Sequence, residues 1–169
     1  MPDLEFLILP PGAAGKAAKF DLVNFGRDSW PLAVWESELK NPDCHYVYLP
    51  GETLPTQALP EIVALAGVRK GEDAEILTIA VAPARRRQGI AQKMLRNLLR
   101  YLCENGALRV FLEVRAADFG AQALYEQFGF EKVGLRKRYY HDDDAVVMRL
   151  NFAAKETYMT DGEVEIESA

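Results

Sequence analysis

Two cysteines and two histidines are all that the 169 residues offer a soft metal. Cys44 and Cys103 are far apart, neither lies in a Cys-x-x-Cys, and only His45 and His141 are there to join them, so no metal site is expected. Long hydrophobic runs are missing too. None approaches the ~18 residues of a membrane span, and no membrane association is expected. Met1-Pro2-Asp3-Leu4-Glu5 is acidic and has no basic stretch before an apolar one, which argues against a secretory signal. The expectation is a cytoplasmic chain with reduced thiols. Positive charge is the scarcer sign, 20 Lys and Arg against 25 Asp and Glu, for a net charge of -5. That balance is a poor fit to direct nucleic-acid binding. No internal repeat is visible.

What remains is ordinary for a globular chain: 49% hydrophobic and 27% charged, long enough for one domain with a substantial core. Residues 1–152 read as a single domain. Residues 153–169, with Glu156, Asp161, Glu163, Glu165 and Glu167, read as an acidic, mobile tail.

Along the chain, Leu4 to Leu9 is an apolar strand stopped by Pro10-Pro11-Gly12. Ala13 to Phe25 is a helix with Ala14, Ala17, Ala18, Leu22 and Phe25 near one face, ended by Gly26. Leu32 to Leu39 is a second, short helix. His45 to Leu49, Glu61 to Val68 and Ala74 to Val81 form a strand meander. A long helix from Ile90 to about Asn105 places Ile90, Met94, Leu95, Leu98, Leu99 and Leu102 on one side and Lys93, Arg96, Asn97 and Arg100 on the other. Asn105-Gly106 stops it, and Arg109 to Arg115 is a strand. Strand, helix, strand in this order implies a crossover with parallel strands. Asp118 caps a helix from Phe119 to Phe128, and Glu131 to Tyr140 and Ala145 to Asn151 are two further strands.

The chain is organised around Arg86-Arg87-Gln88-Gly89-Ile90-Ala91, a basic turn between the strand ending at Val81 and the long helix. Such a turn aims backbone N–H groups and the positive end of a helix dipole at one spot, which suits phosphate. From Arg85 to Arg100 there are six basic residues and no acidic ones, inside an acidic protein. That local field points to a specific anionic ligand. A solvated, Arg-rich loop would look the same. It is neither a Walker loop nor a Gly-x-Gly-x-x-Gly turn.

Glu113 stands out in its strand. Val110, Leu112 and Val114 face one way, and Phe111, Glu113 and Arg115 the other. It reads either as a solvent-facing carboxylate paired with a neighbouring base or as a general base beside a ligand. Tyr125, on the next helix, is a core aromatic or a proton donor to a leaving group. Tyr139, Tyr140 and His141 are packing residues or the lining of a groove. Trp30 and Trp35 are core or hinge packing, with substrate contact as the other role.

These segments together resemble the GNAT acetyltransferases. Arg86-x-x-Gly89-x-Ala91 matches their (Gln/Arg)-x-x-Gly-x-(Gly/Ala) signature. Thr78 to Val81, Leu112-Glu113-Val114-Arg115, Ala123-Leu124-Tyr125-Glu126, Gly129-Phe130 and Arg136 to Tyr140 look like the RimI-type group, which acetylates the N-terminal alanine of a small-subunit ribosomal protein. The likeness is dense from about Ala74 to Leu150 and thin before that. It implies an α/β (α+β) GNAT fold: a central mixed, mostly antiparallel sheet with a splayed parallel strand pair, flanked by about four helices. It implies acetyl-CoA as acetyl donor, with Ile79, Ala80 and Val81 holding the acetyl-pantetheine arm and Arg86, Arg87, Gln88, Gly89, Ile90, Ala91 and Gln92 cradling the pyrophosphate. Glu113 matches the general base and Tyr125 the general acid, while Trp30, Tyr139 and Tyr140 would meet the peptide. Asp118 stands where the group usually has Asn, which replaces an amide donor near the coenzyme by a negative charge. The loop after Tyr140 also looks short. The implied substrate is a ribosomal-protein N-terminus, and a tRNA-modifying protein is an implied partner. Two alternatives stand beside this: a GNAT enzyme acting on lysine or a small amine, and a coenzyme A-binding partner subunit with little catalysis.

Overall fold

The structure, a computed structural model, describes residues 4–52, 55–56 and 59–152. The expected acidic tail lies outside them. Seven strands hydrogen-bond in the order β1-β2-β3-β4-β5-β7-β6, and there are four α-helices among the described residues. The strands are β1 (Leu7–Ile8), β2 (Cys44–Pro50), β3 (Ile62–Arg69), β4 (Asp73–Val81), β5 (Arg109–Arg115), β6 (Glu131–Arg136) and β7 (Ala145–Asn151). The helices are α1 (Ala14–Phe25), α2 (Leu32–Lys40), α3 (Ile90–Glu104) and α4 (Phe119–Gln127). The chain forms two compact units. Among the described residues, one contains those up to 69 and 77–98, the other 70–76 and 99–152, so β4 and α3 each contribute to both.

In the first unit, β1 and β3 pair antiparallel with β2. Its core gathers around Trp35, which is fully buried, with Ala14, Ala17, Tyr46, Tyr48, Leu65 and Leu9. Trp35 lies 5.2 Å from the rings of both Trp30 and Tyr46. Gly67 is required here by close approach, because a Cβ on it would stand 2.1 Å from the Tyr46 ring.

Two local expectations are corrected. The first strand is confined to Leu7–Ile8. The inward face of α1 is Ala14, Ala17 and Asp21, while Leu22 and Phe25 are exposed. Asp21 turns inward because the chain folds back after the helix, and the backbone N–H of Trp30 donates to its Oδ2 at 2.6 Å. A buried amide needs such an acceptor. Burial pushes the Asp21 carboxyl above its usual range, against the lowering effect of that hydrogen bond.

In the second unit, β5 pairs antiparallel with β7 along its whole length, and β7 with β6. β5 also pairs in parallel with β4, over Asp73–Glu75 against Arg109–Phe111. That ladder covers the first three of the nine residues of β4. Val110, Leu112 and Val114 are buried, as the alternation of β5 requires. All six apolar positions expected on the inner side of α3 are buried, from Ile90 to Leu102. Each such side chain contributes roughly 1.5–3 kcal/mol, which explains how a strongly polar outer face is tolerated. β6 ends at Arg136, earlier than the expected Tyr140. Arg138 adopts φ 54° and its N–H donates to Asp144 Oδ1 at 2.7 Å, so the chain turns there.

Candidate active site

The basic turn belongs to the first unit. Pro83–Arg85 make one 3₁₀ turn after β4, and α3 begins at Ile90. Between them Arg87 has φ 64° and Gly89 φ 76°. Left-handed residues in such a tight turn help backbone N–H groups converge into an anion-binding concavity. The N–H of Lys93 donates to the Gly89 carbonyl at 3.1 Å, which makes Gly89 the residue before the first helical turn. The N–H groups of Ile90, Ala91 and Gln92 therefore have no acceptor within the helix, and the dipole adds positive charge there. A Cβ on Gly89 would meet nothing within 4 Å, so glycine here answers to φ and to open space in front of the turn.

The arginines divide their work. Arg86 donates from Nε to the Val81 carbonyl at 3.0 Å and from Nη2 to Asn24 Oδ1 at 3.0 Å. It clasps the turn to the end of β4 and to α1. Arg85 donates to Gln88 Oε1 at 3.2 Å. Arg87 is exposed. Of the residues expected to hold the pantetheine arm, Ala80 and Val81 are buried and Ile79 half-buried at the end of β4.

Glu113 lies in the second unit, on the exposed-side register of β5, with a side chain 17% accessible. Its Oε1 accepts from Arg136 Nη1 at 2.5 Å. The Tyr139 hydroxyl is hydrogen-bonded to the same carboxylate, which pushes the Tyr139 hydroxyl pKa up. Arg136 reaches Glu113 from two strands away. Glu113 pairs with Val147 on β7 and Val147 with Gly134 on β6, and Arg136 lies two residues further on. Glu113 is thus a largely covered carboxylate paired with the guanidinium of Arg136.

Tyr125 is buried on α4, its ring 5.7 Å from that of Phe130 in an edge-on arrangement. Burial, with Asp118 and Tyr140 nearby, raises its hydroxyl well above the ordinary range. A tyrosine in that state keeps its proton until a strong base develops beside it. Asp118 is the N-cap of α4: its Oδ1 accepts from the N–H of Ala121 at 3.0 Å.

Tyr139 and Tyr140 are placed by the β6–β7 loop, their rings 5.1 Å apart and near perpendicular. The guanidinium of Arg115 lies 4.5 Å over the Tyr140 ring, and Arg115 also pairs with Asp142 at 2.6 Å. Asp143 Oδ2 accepts from the N–H of Ala117 at 2.9 Å, which ties the loop to the end of β5. Burial foremost pushes the Tyr140 hydroxyl up to about 12. Trp30 is half-buried against Trp35.

Three residues escape the sequence reading. Arg136 enters it only as part of a motif, and Gln122 and Asp21 not at all. Only Arg136 carries a sequence signal, a cation on the edge strand that precedes the two tyrosines. Among the described residues no group of three His, Cys, Asp or Glu side chains is placed to hold a metal ion.

The acetyltransferase (GNAT) family model matches residues 19–130, a span that contains the basic turn, Glu113 and Tyr125. The chain belongs to that family. Within it the chain is RimI-like, 41% identical over 131 residues to N-alpha-acetyltransferase RimI of Mycobacterium tuberculosis, which is 73% of this chain and 77% of that protein. It is 37% identical over 83 residues to the ribosomal protein bS18-alanine N-acetyltransferase of Escherichia coli, 47% of this chain and 56% of that one. That match spans about half of the Escherichia coli protein. A crystal structure of the Escherichia coli ribosomal-protein alanine N-acetyltransferase has a TM-score of 0.75 at 26% identity, over 89% of this chain and 94% of that one. Arabidopsis thaliana NAA60 in complex with acetyl-CoA has a TM-score of 0.76 at 16% identity, over 89% and 99%, a likeness of fold.

Proposed function

We propose that this chain transfers the acetyl group of acetyl-CoA to the N-terminal amine, an alanine, of a small-subunit ribosomal protein. The observation that carries the acceptor is the 41% identity to RimI across roughly three quarters of both chains. Acetyl-CoA is the acetyl donor. The turn fits its diphosphate: two left-handed residues, a helix N-terminus, an exposed Arg87 and open space before Gly89. Gln88, Gly89, Ile90, Ala91 and Gln92 hold it through backbone N–H groups, Arg87 adds charge, and Arg86 holds the turn in shape. Ile79, Ala80 and Val81 receive the pantetheine arm. Asp118, whose Oδ1 caps α4, is a further coenzyme contact in this reading.

Glu113 takes a proton from the acceptor amine, directly or through a water. The amine nitrogen then bonds to the acetyl carbon as the carbon–sulfur bond breaks. Tyr125 gives its proton to the departing sulfur and regains one from solvent, as Glu113 releases its own. Tyr139 and Tyr140 line the peptide's approach, with Trp30 as a further peptide contact. An N-terminal amine has a pKa of about 7.7–8.0 against ~10.4 for lysine. Its neutral form is some hundreds of times more abundant at neutral pH, roughly 10^2.5 by those values, so a carboxylate suffices as base. Such a substrate places the enzyme in the cytoplasm.

The test is mass spectrometry of a peptide panel incubated with the protein and acetyl-CoA. Ala-initiated peptides with free N-termini should gain one acetyl group at the α-amine, and N-terminally blocked peptides bearing lysine should gain none. Lysine acetylation of the blocked peptides would move the enzyme to a different acceptor class. Tight coenzyme binding with no product would make it a binding subunit.

A further inference from the structure

α4 buries two side chains, Tyr125 and Gln122. Gln122 is 3% accessible, an unusual place for a carboxamide unless its protons are satisfied. They are: Nε2 donates to the carbonyl of Arg115 at 2.9 Å and to that of Ala116 at 3.0 Å. These two carbonyls lie where β5 leaves the sheet, two and three residues after Glu113. The Arg115 carbonyl also accepts the N–H of Asp118 at 3.0 Å, so the corner from strand to helix is closed on both sides.

We propose that Gln122 is a positioning residue, whose carboxamide fixes the rotation of α4 on the end of β5 and so sets where the Tyr125 hydroxyl stands relative to the strand that carries Glu113. Residues three apart on a helix share a face, so a bond held by Gln122 is transmitted to Tyr125 without slack. The other contacts of α4, among them the Glu126–Lys132 ion pair at 3.5 Å and the apolar packing of Phe128, are less directional. The Asp118 cap fixes where the helix starts, and the edge-on contact of Tyr125 with Phe130 tolerates sliding. Two hydrogen bonds from one planar amide are directional, and do not tolerate it. The strut is thus a side chain reaching back to the strand from within the helix. It matters for rate because a misplacement of about 1 Å can cost ~100-fold in turnover.

The inference rests on Tyr125 being the general acid, and the test separates the two. Gln122→Met keeps the shape and removes both donors. It should lower kcat about tenfold or more while KM for acetyl-CoA stays within about twofold. In a Tyr125→Phe background the same substitution should lower kcat less than about twofold, because a misplaced acid and a missing acid are one defect. Equal factors in both backgrounds, or an unchanged kcat in Gln122→Met, would overturn the positioning role alone. Full turnover in Tyr125→Phe would overturn the acid assignment and the positioning role with it. If Gln122→Met does not fold, Gln122→His, which keeps one N–H donor, carries the same comparison.

Discussion

Gly89 and Gly106 form a matched pair that isolates what the basic turn does. Both hold positive φ, 76° and 86°, and a Cβ on either would meet nothing within 4 Å. Alanine at each therefore brings backbone strain without steric contact, roughly 1–2 kcal/mol, offset in part by a stiffer unfolded chain. At about 2–4 °C per kcal/mol for a chain of this size, the two variants should lose similar amounts of thermal stability. They differ in what the methyl faces. Gly106 follows the end of α3, whereas Gly89 opens onto the space where the first N–H groups of α3 point. Gly89→Ala should raise the KM for acetyl-CoA about tenfold or more, an effect of ~1.4 kcal/mol, and Gly106→Ala should leave it within about twofold. Calorimetry of both variants with steady-state titration of acetyl-CoA measures this. Equal Tm losses with equal KM values would refute the reasoning, since the turn would then be a structural bend and nothing more.

Arg136→Gln keeps an amide donor for Glu113 while removing the charge, and because the Arg136 side chain is 59% exposed it should lower Tm only modestly, yet it should slow turnover by freeing the Glu113 carboxylate to rotate. Trp35→Ala empties the centre of the first unit's core and should destabilise by about 3–5 kcal/mol, read as a fall in denaturation midpoint. Asp21 carries a pH signature: its carboxyl is raised above 3.8 by burial, so the stability it contributes is fully present below that pH and is lost as pH rises through its folded value. Asp21→Asn should flatten that part of the stability profile, and a wild-type profile with no such decline would count against a buried acid.

Periodic elements are legible in the sequence. β5 is expected at Arg109 to Arg115 and found there, because strict alternation sets both its faces. α3 is legible because six apolar residues recur at helical spacing beneath a basic face. What fails depends on partners distant in the chain. Whether α1 turns Asp21 or Leu22 inward is decided by the N–H of Trp30, nine residues beyond Asp21. β6 ends early because Asp144, beyond the turn, accepts from Arg138. The ion pair of Arg136 with Glu113 joins residues 23 apart, and no local pattern announces it. The basic turn is the exception among site features, since its chemistry is local: consecutive backbone dihedrals, a glycine and a helix start.

In the proposed reaction Glu113 takes the proton of an N-terminal amine. Glu113→Gln keeps the size of the side chain and an oxygen for Arg136, and removes the base. Turnover of an Ala-initiated peptide, measured beside acetyl-CoA affinity, should fall about 100-fold or more with affinity nearly unchanged. Turnover equal to the unaltered protein's would contradict the account.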